Sequence, residues 1–221
     1  MKILALEFSS PQRSVAVVQS QDDRVAPRGL AEVVETGAQA THAFAMIQEA
    51  LRQAQLEREQ IDCLAVGLGP GSYTGIRVAI ALAQGWQFAR QLKLLGISSA
   101  QCIAAQAAAE GFAGQLTVVI DAQRNEFYVA IFDPSSQPLR EIEALRLTNL
   151  AEMQQRHDAG QLLLGPEVTN WFANGRLVFP RASMIGQLAL GGTDFVSAEA
   201  LKPIYLRETK FVKSPPARLF P

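Results

Sequence analysis

The stretch Gly67–Arg77, GLGPGSYTGIR, joins the apolar run Cys63–Gly67 (CLAVG) to a long helical pattern over Tyr73–Leu92. A short apolar run ending at glycine reads as a buried strand, so the segment is a glycine-rich strand-to-helix turn. Gly69, Gly71 and Gly75 allow close backbone approach, and Pro70 stiffens the loop. Ser72 or Thr74 can cap the helix, whose free N–H groups favour an anion. Two readings stay open on these residues: a phosphate or nucleotide cradle, or a tight turn packed against another backbone. No Lys precedes the Ser or Thr, so this is not a Walker A loop. Its G-x-G-x-x-x-G spacing is not the dinucleotide fingerprint either. Arg77, the nearby cation, can meet a phosphate or pair with a surface carboxylate.

Upstream of the turn, Ile3–Leu6 and Ser14–Val18 flank the polar turn Ser9–Pro11 and predict a hairpin. Leu30–Glu35 is a third extended segment. Ala43, Met46, Ile47, Ala50, Leu51 and Ala54 then recur at helical spacing and predict an amphipathic helix over Thr41–Ala54. Downstream come a strand over Leu94–Ile97 and a helix over Ser98–Ala109. A second round follows, with strands over Leu116–Ile120, Glu126–Phe132 and Glu141–Leu147 and a helix over Leu150–Arg156. A strand over Leu162–Leu164 and a helix over Met184–Leu190 complete it. Both halves open as β-β-β-α, which predicts a duplicated, two-lobed α/β protein with an N-terminal lobe over 1–110 and a smaller one over 111–221. From Leu201 the Pro- and Lys/Arg-containing tail reads as loosely held.

The composition excludes several classes. In 221 residues, 48% are hydrophobic and 19% charged, enough to bury a sizeable core and too apolar for a disordered chain. A net charge of −1 supplies no field for nucleic acid or an anionic membrane. No apolar stretch is long enough to span a bilayer and the start is too short for a signal core, so a cytoplasmic location is expected. Cys63 and Cys102 form no Cys-x-x-Cys pair, which argues against a disulfide framework and a thiolate zinc site. His42 and His157 are the only histidines, and Met46 stands where a His-x-x-x-His partner would be, so no metal site is expected. Metalloprotease chemistry lacks its ligands, and no G-x-S-x-G nucleophile elbow is present.

Glu7, at the end of the first strand, reads either as a holder of a metal–phosphate complex or a water, or as a solvated strand-end carboxylate. Asp121 holds the equivalent place in the second half. Two helices carry many small residues: Ala43, Ala45, Ala50 and Ala54 in one, and Gly75, Ala79, Ala81, Ala83, Gly85 and Ala89 in the other. Large anchors such as Phe44, Met46, Trp86 and Phe88 lie among them, which predicts a partner surface with Ala43, Met46, Ile47, Ala50, Ala79, Ala83 and Trp86 in contact.

Five segments stand out: AVGLGPGSYTGIRVAIALAQG from Ala65, LLGISSAQCIAAQ from Leu94, THAFAMIQEAL from Thr41, DAQRNEFYVAIF from Asp121 and LKPIYLR from Leu201. Together they resemble the TsaB (YeaZ) family of bacterial tRNA threonylcarbamoyladenosine biosynthesis proteins, once described as glycoprotease-like. The resemblance spans nearly the whole chain. It implies two lobes of the actin/Hsp70/sugar-kinase type with the second reduced, and a non-catalytic partner of TsaD, the subunit that carries the metal and transfers threonylcarbamoyl to the adenosine beside the anticodon. It further implies the ATPase TsaE as third component, tRNA contact only through the complex, and a homodimer formed through the TsaD-binding helices, matched here by Thr41–Ala54 and Ser72–Gln91. No cofactor is expected for the chain itself, with ATP or ADP placed at the joint with TsaD. Glu7-Phe8-Ser9 departs from the family's usual Asp-Thr-Ser opening, which weighs against nucleotide at Gly69, Gly71, Ser72, Thr74 and Gly75. The competing expectation is a small ATP-binding phosphotransferase or ATPase of the same superfamily.

Overall fold

The computed structural model describes residues 1–20, 28–37, 42–136 and 138–207. The first sheet comprises β1 (Lys2–Glu7), β2 (Gln12–Gln19), β3 (Arg28–Thr36), β4 (Cys63–Gly67) and β5 (Lys93–Ile97), in the order β3-β2-β1-β4-β5. The second comprises β6 (Leu116–Asp121), β7 (Glu126–Asp133), β8 (Arg140–Asn149), β9 (Leu163–Gly165) and β10 (Arg176–Leu177), in the order β10-β9-β6-β7-β8. In each, three antiparallel strands lead and two parallel strands follow on the other side of the first. One strand order used twice is the duplicated, two-lobed α/β architecture expected. The brief strand β10 was not anticipated, since two exposed residues carry no periodicity.

Alternation along the strands decides which helix each face receives. Leu4 and Leu6 of β1, Val15 and Val17 of β2 and Leu64 and Val66 of β4 share a core with α1 (Ala43–Ala54) and α2 (Tyr73–Arg90). The intervening Ile3, Ala5, Ala16, Cys63 and Ala65 face the opposite way, onto α5 (Ala182–Leu190). In the second sheet, Val118, Ile120, Ala130 and Phe132 receive α3 (Ser99–Ala109), while Val119, Phe127 and Val129 pack with Met153 of α4 (Leu150–Asp158). The chain therefore crosses between lobes: α3 lies on the second sheet, and α5, late in the sequence, lies on the first.

Small residues bring α5 close. A Cβ on Gly186 would stand 2.6 Å from a methyl of Val18 and 3.5 Å from the Cβ of Ala5. The N-terminus of α5 is fastened by the first lobe, because Ser14 Oγ accepts from Ala182 N at 2.8 Å and Glu32 accepts from Ser183 N at 3.1 Å. Glu32 also takes both forks of Arg181, at 3.2 and 2.7 Å.

The segment from Leu201 corrects the expectation of a loose tail. Leu201 is buried in the first core, and Ile204 N donates to Leu68 O at 2.9 Å. The Pro-rich end beyond Arg207 lies outside the described residues, as does Thr41 at the expected start of α1.

Gly186→Ala should destabilise the protein by about 1–3 kcal/mol, because the clash with stiff Val18 outweighs the helix-propensity gain of at most about 1 kcal/mol. Adding Val18→Ala should show a favourable coupling in a double-mutant cycle read from urea midpoints. Strictly additive effects would mean that α5 does not sit this close to β2.

Candidate functional site: the glycine turn and the cleft beside it

The glycine turn is pressed against the turn between β1 and β2. A Cβ on Gly71 (φ +144°) would collide with the Ser9 carbonyl, and one on Gly75 with the Phe8 carbonyl. At Gly69 (φ +83°) it would meet Ile76 at 2.5 Å. Three of the donors that a phosphate cradle would aim outward are engaged inside the chain. Gly69 N donates to Ser99 Oγ at 3.1 Å, Ser72 N to Ser9 O at 2.6 Å, and Gly75 N to Ser72 Oγ at 3.3 Å. Ser72 is thus the helix cap, and Thr74 stands exposed on the first turn of α2. Arg77 lies over the Tyr73 ring, 4.0 Å from its centroid, an arrangement that neither sequence reading of Arg77 contained.

Glu7 fits neither of its readings. It is fully buried, Oε1 accepts from Ser9 N at 2.7 Å, and Oε2 accepts from Ser99 Oγ at 2.8 Å. A Cβ on Gly67 would strike the same carboxylate. Burial pushes the Glu7 carboxyl up, against the opposing pull of its Ser9 and Ser99 hydrogen bonds. It is an internal bracket and reaches no cleft.

A cleft of about 520 Å³ opens between the lobes. Ser9, Ser10, Ser72 and Tyr73 line one wall; Asp121, Tyr128 and Glu167 line the other. Asp121, unlike Glu7, does face the cleft, and its Oδ1 accepts from Gln123 N at 2.6 Å. Glu167 was missed by sequence reasoning, because a lone Glu in a Gly-Pro-Glu loop carries no signal of burial. Burial first, and then the neighbouring Asp121 charge, push its carboxyl up to about 7.

Most of the expected contact residues are turned towards the sheet, while Ile47 and Trp86 also line an apolar groove between the two helices. Ala43, Met46, Ile47 and Ala50 of α1, with Ala79 and Ala83 of α2, are buried in the first core, while Trp86 is half-buried. The helical spacing that selected them marks the stripe turned to the sheet. An aspartate at Ala79 or Ala83 would therefore place a charge in the core and disrupt the fold. The outward surface has other residues. Phe44 is 73% and Phe88 94% exposed, Ala81 and Gly85 are exposed, and an apolar groove of about 240 Å³ runs past Phe44, Ala81, Leu82, Gly85 and Trp86.

Among the described residues no three His, Cys, Asp or Glu side chains converge as metal ligands, and no helix is long and apolar enough to cross a membrane. His42 is exposed beside Glu35 at 3.5 Å, and His157 tilts against Phe172. Cys63 and Cys102 are free and buried, and burial pushes the Cys63 thiol up to about 12.

A family model described as TsaD, tRNA N6-adenosine threonylcarbamoyltransferase, matches residues 30–204. The tRNA threonylcarbamoyladenosine biosynthesis protein TsaB of Escherichia coli is 27% identical over 192 residues, 78% of this chain and 82% of that protein. Its namesake in Haemophilus influenzae is 36% identical over 131 residues, 58% of this chain and 52% of that one. Among solved structures, an uncharacterized Pseudomonas aeruginosa protein with similarity to peptidase YeaZ superposes with a TM-score of 0.78 at 25% identity, over 93% of this chain and 99% of that one.

Glu167 yields a prediction with a definite sign. A carboxyl held at about 7 when folded costs stability as pH rises from about 4.5 through 7. Glu167→Gln should therefore be more stable than the parent at pH 8 and lose that advantage at pH 4.5, in urea titrations. Equal midpoints at pH 8 would place Glu167 in solvent.

Proposed function

The chain belongs to the family described as TsaD, tRNA N6-adenosine threonylcarbamoyltransferase, and within it to the TsaB (YeaZ) branch; from that premise we propose that it is a non-catalytic subunit of tRNA threonylcarbamoyladenosine biosynthesis. In this reading it binds TsaD through the outward face of α1 and α2 and holds it in its transfer-competent conformation. A subunit without reacting groups acts by binding one conformation of its partner better than another.

The observation that carries the reading is the apolar groove between α1 and α2, lined by the exposed Phe44, with Phe88 exposed near the end of α2. Exposed aromatic anchors around a groove are what a helix of a partner fills. Fully burying one such ring contributes about 1.5–3 kcal/mol, so a pair supplies a useful share of a specific contact. The same face serves a homodimer when TsaD is absent, so the two associations compete. TsaE completes the machinery, and tRNA is met through the complex. The engagement of Gly69 N, Ser72 N and Gly75 N within the chain weighs against a nucleotide role for the glycine turn. ATP or ADP then belongs to the joint with TsaD.

Ala81→Glu tests this directly, because Ala81 is exposed on the groove and glutamate is a good helix former. The variant should keep the parent's circular dichroism and melting temperature. Its co-purification with TsaD should fall at least about tenfold, as burying an unpaired charge costs more than about 1.4 kcal/mol. Threonylcarbamoyl transfer by the reconstituted system should fall with it. Undiminished binding and transfer would remove α2 from the interface.

A further inference from the structure

The chain end described by the structure runs back over the first lobe and then leaves it. Val196 pairs with Leu94, its N donating to Leu94 O at 2.9 Å. Along α2, Gln84 Nε2 donates to Ala198 O at 2.8 Å, and Ala198 N donates to Gln87 Oε1 at 2.5 Å. Leu201 is buried, Ile204 N donates to Leu68 O at 2.9 Å, and Tyr205 stacks on Tyr73 with ring centroids 5.3 Å apart. Tyr73 begins α2 and lines the cleft from the first lobe.

Two residues later the segment grips the opposite wall. Arg207 Nη2 donates to Ala122 O at 2.8 Å and to Gln123 O at 3.3 Å, and the same group pairs with Glu126. Ala122 and Gln123 line the cleft from the second lobe. They belong to a turn in which Gln123, Arg124 and Asn125 all take left-handed backbone, with φ of 64°, 61° and 59°. Side-chain-bearing residues adopt that conformation only when their surroundings hold them in it. Arg207 Nη2 on the turn's carbonyls is one such hold, and Leu150 N, which donates to Asn125 O at 3.1 Å, is another.

We propose that Val196–Arg207 is a strap that sets the opening between the lobes, laid along α2 and latched to the second lobe by Arg207. Tyr205 and Arg207 stand on facing walls of one cleft, so releasing either frees the walls to separate. The strap also joins the cleft mechanically to α2, because Gln84 and Gln87 of that helix hold its first half.

The test is a distance measurement across the lobes. Arg58→Cys and Gln154→Cys place spin labels on exposed positions of the first and second lobes. The native thiols, Cys63 and Cys102, are buried and label poorly. With the doubly labelled chain diluted into unlabelled chain, pulsed electron paramagnetic resonance reports the separation of the lobes. The parent should give one narrow distribution, and Arg207→Ala should widen it or shift it outward. Tyr205→Ala, which leaves the latch intact and loosens its footing, should do the same to a smaller degree. Exchange of the Glu126 amide, bonded to Gln123 O in the latched turn, should accelerate about tenfold in Arg207→Ala. Distributions identical to the parent in both variants, with both folded by circular dichroism, would overturn the strap.

Discussion

The arrangement of the first lobe hangs on one buried carboxyl group. Glu7 ends the central strand β1 with no exposure to solvent, and its two oxygens bind the Ser9 amide in the turn to β2 and the Ser99 hydroxyl at the start of α3. Ser99 in turn accepts from Gly69 N and donates its own N–H to Gly69 O, so the glycine turn is tied to the same point. A single acidic side chain thus brackets β1, the β1–β2 turn, the end of β4 and the helix that crosses to the other lobe. Gly67 is a consequence of that bracket, because any larger residue would occupy the space of the carboxylate. A buried polar junction of this kind is costly if one partner is lost and specific when all are present.

From that junction follows the different use of two sheets with one topology. In the first lobe the turn beside β1 is filled by its own backbone, since the Ser9 carbonyl accepts from Ser72 N and crowds Gly71, and the Phe8 carbonyl crowds Gly75. In the second lobe the equivalent strand end stays open, and Asp121 looks into the cleft with Glu167 beside it. The duplication kept the frame and gave its two strand-end acids opposite environments. One is sealed in protein, and the other faces a cavity. In the proposed assembly the surface left for a partner is the outer side of α1 and α2, whose inner side packs on Leu4, Leu6, Leu64 and their neighbours.

The order of the elements was legible in the sequence because it rests on local periodicity. The alternation in β1, β2 and β4 and the helical spacing from Ala43 to Ala54 are read within a few residues. The repeated β-β-β-α opening carried the duplicated architecture in the same way. What failed was long-range. Nothing near Glu7 announces a partner at Ser99, and nothing near Leu201 announces a place in the first core. The expected contact residues divide for a more instructive reason, since Ile47 and Trp86 line the groove while the others are buried. Apolar spacing identifies the face of a helix that is hidden from water, and in α1 and α2 that face points at the sheet, so Met46 and Ala79 were chosen where Phe44 and Ala81 stand outside. The glycine turn sits between these cases. Its sequence leaves cradle and packing turn open, and the carbonyl groups that crowd it, those of Phe8 and Ser9, come from the distant turn between β1 and β2.

The sealed state of Glu7 is best tested by the stability of Glu7→Gln relative to the parent across pH 5 to 8. The carboxyl is raised in the folded chain, so the parent loses stability as pH climbs above the ordinary carboxylate range, while the isosteric amide does not titrate. The account predicts that the variant gains steadily on the parent as pH rises, with the fold retained throughout. Parallel stability curves for the two proteins would show Glu7 open to water and contradict the bracket on which the rest of the lobe is built.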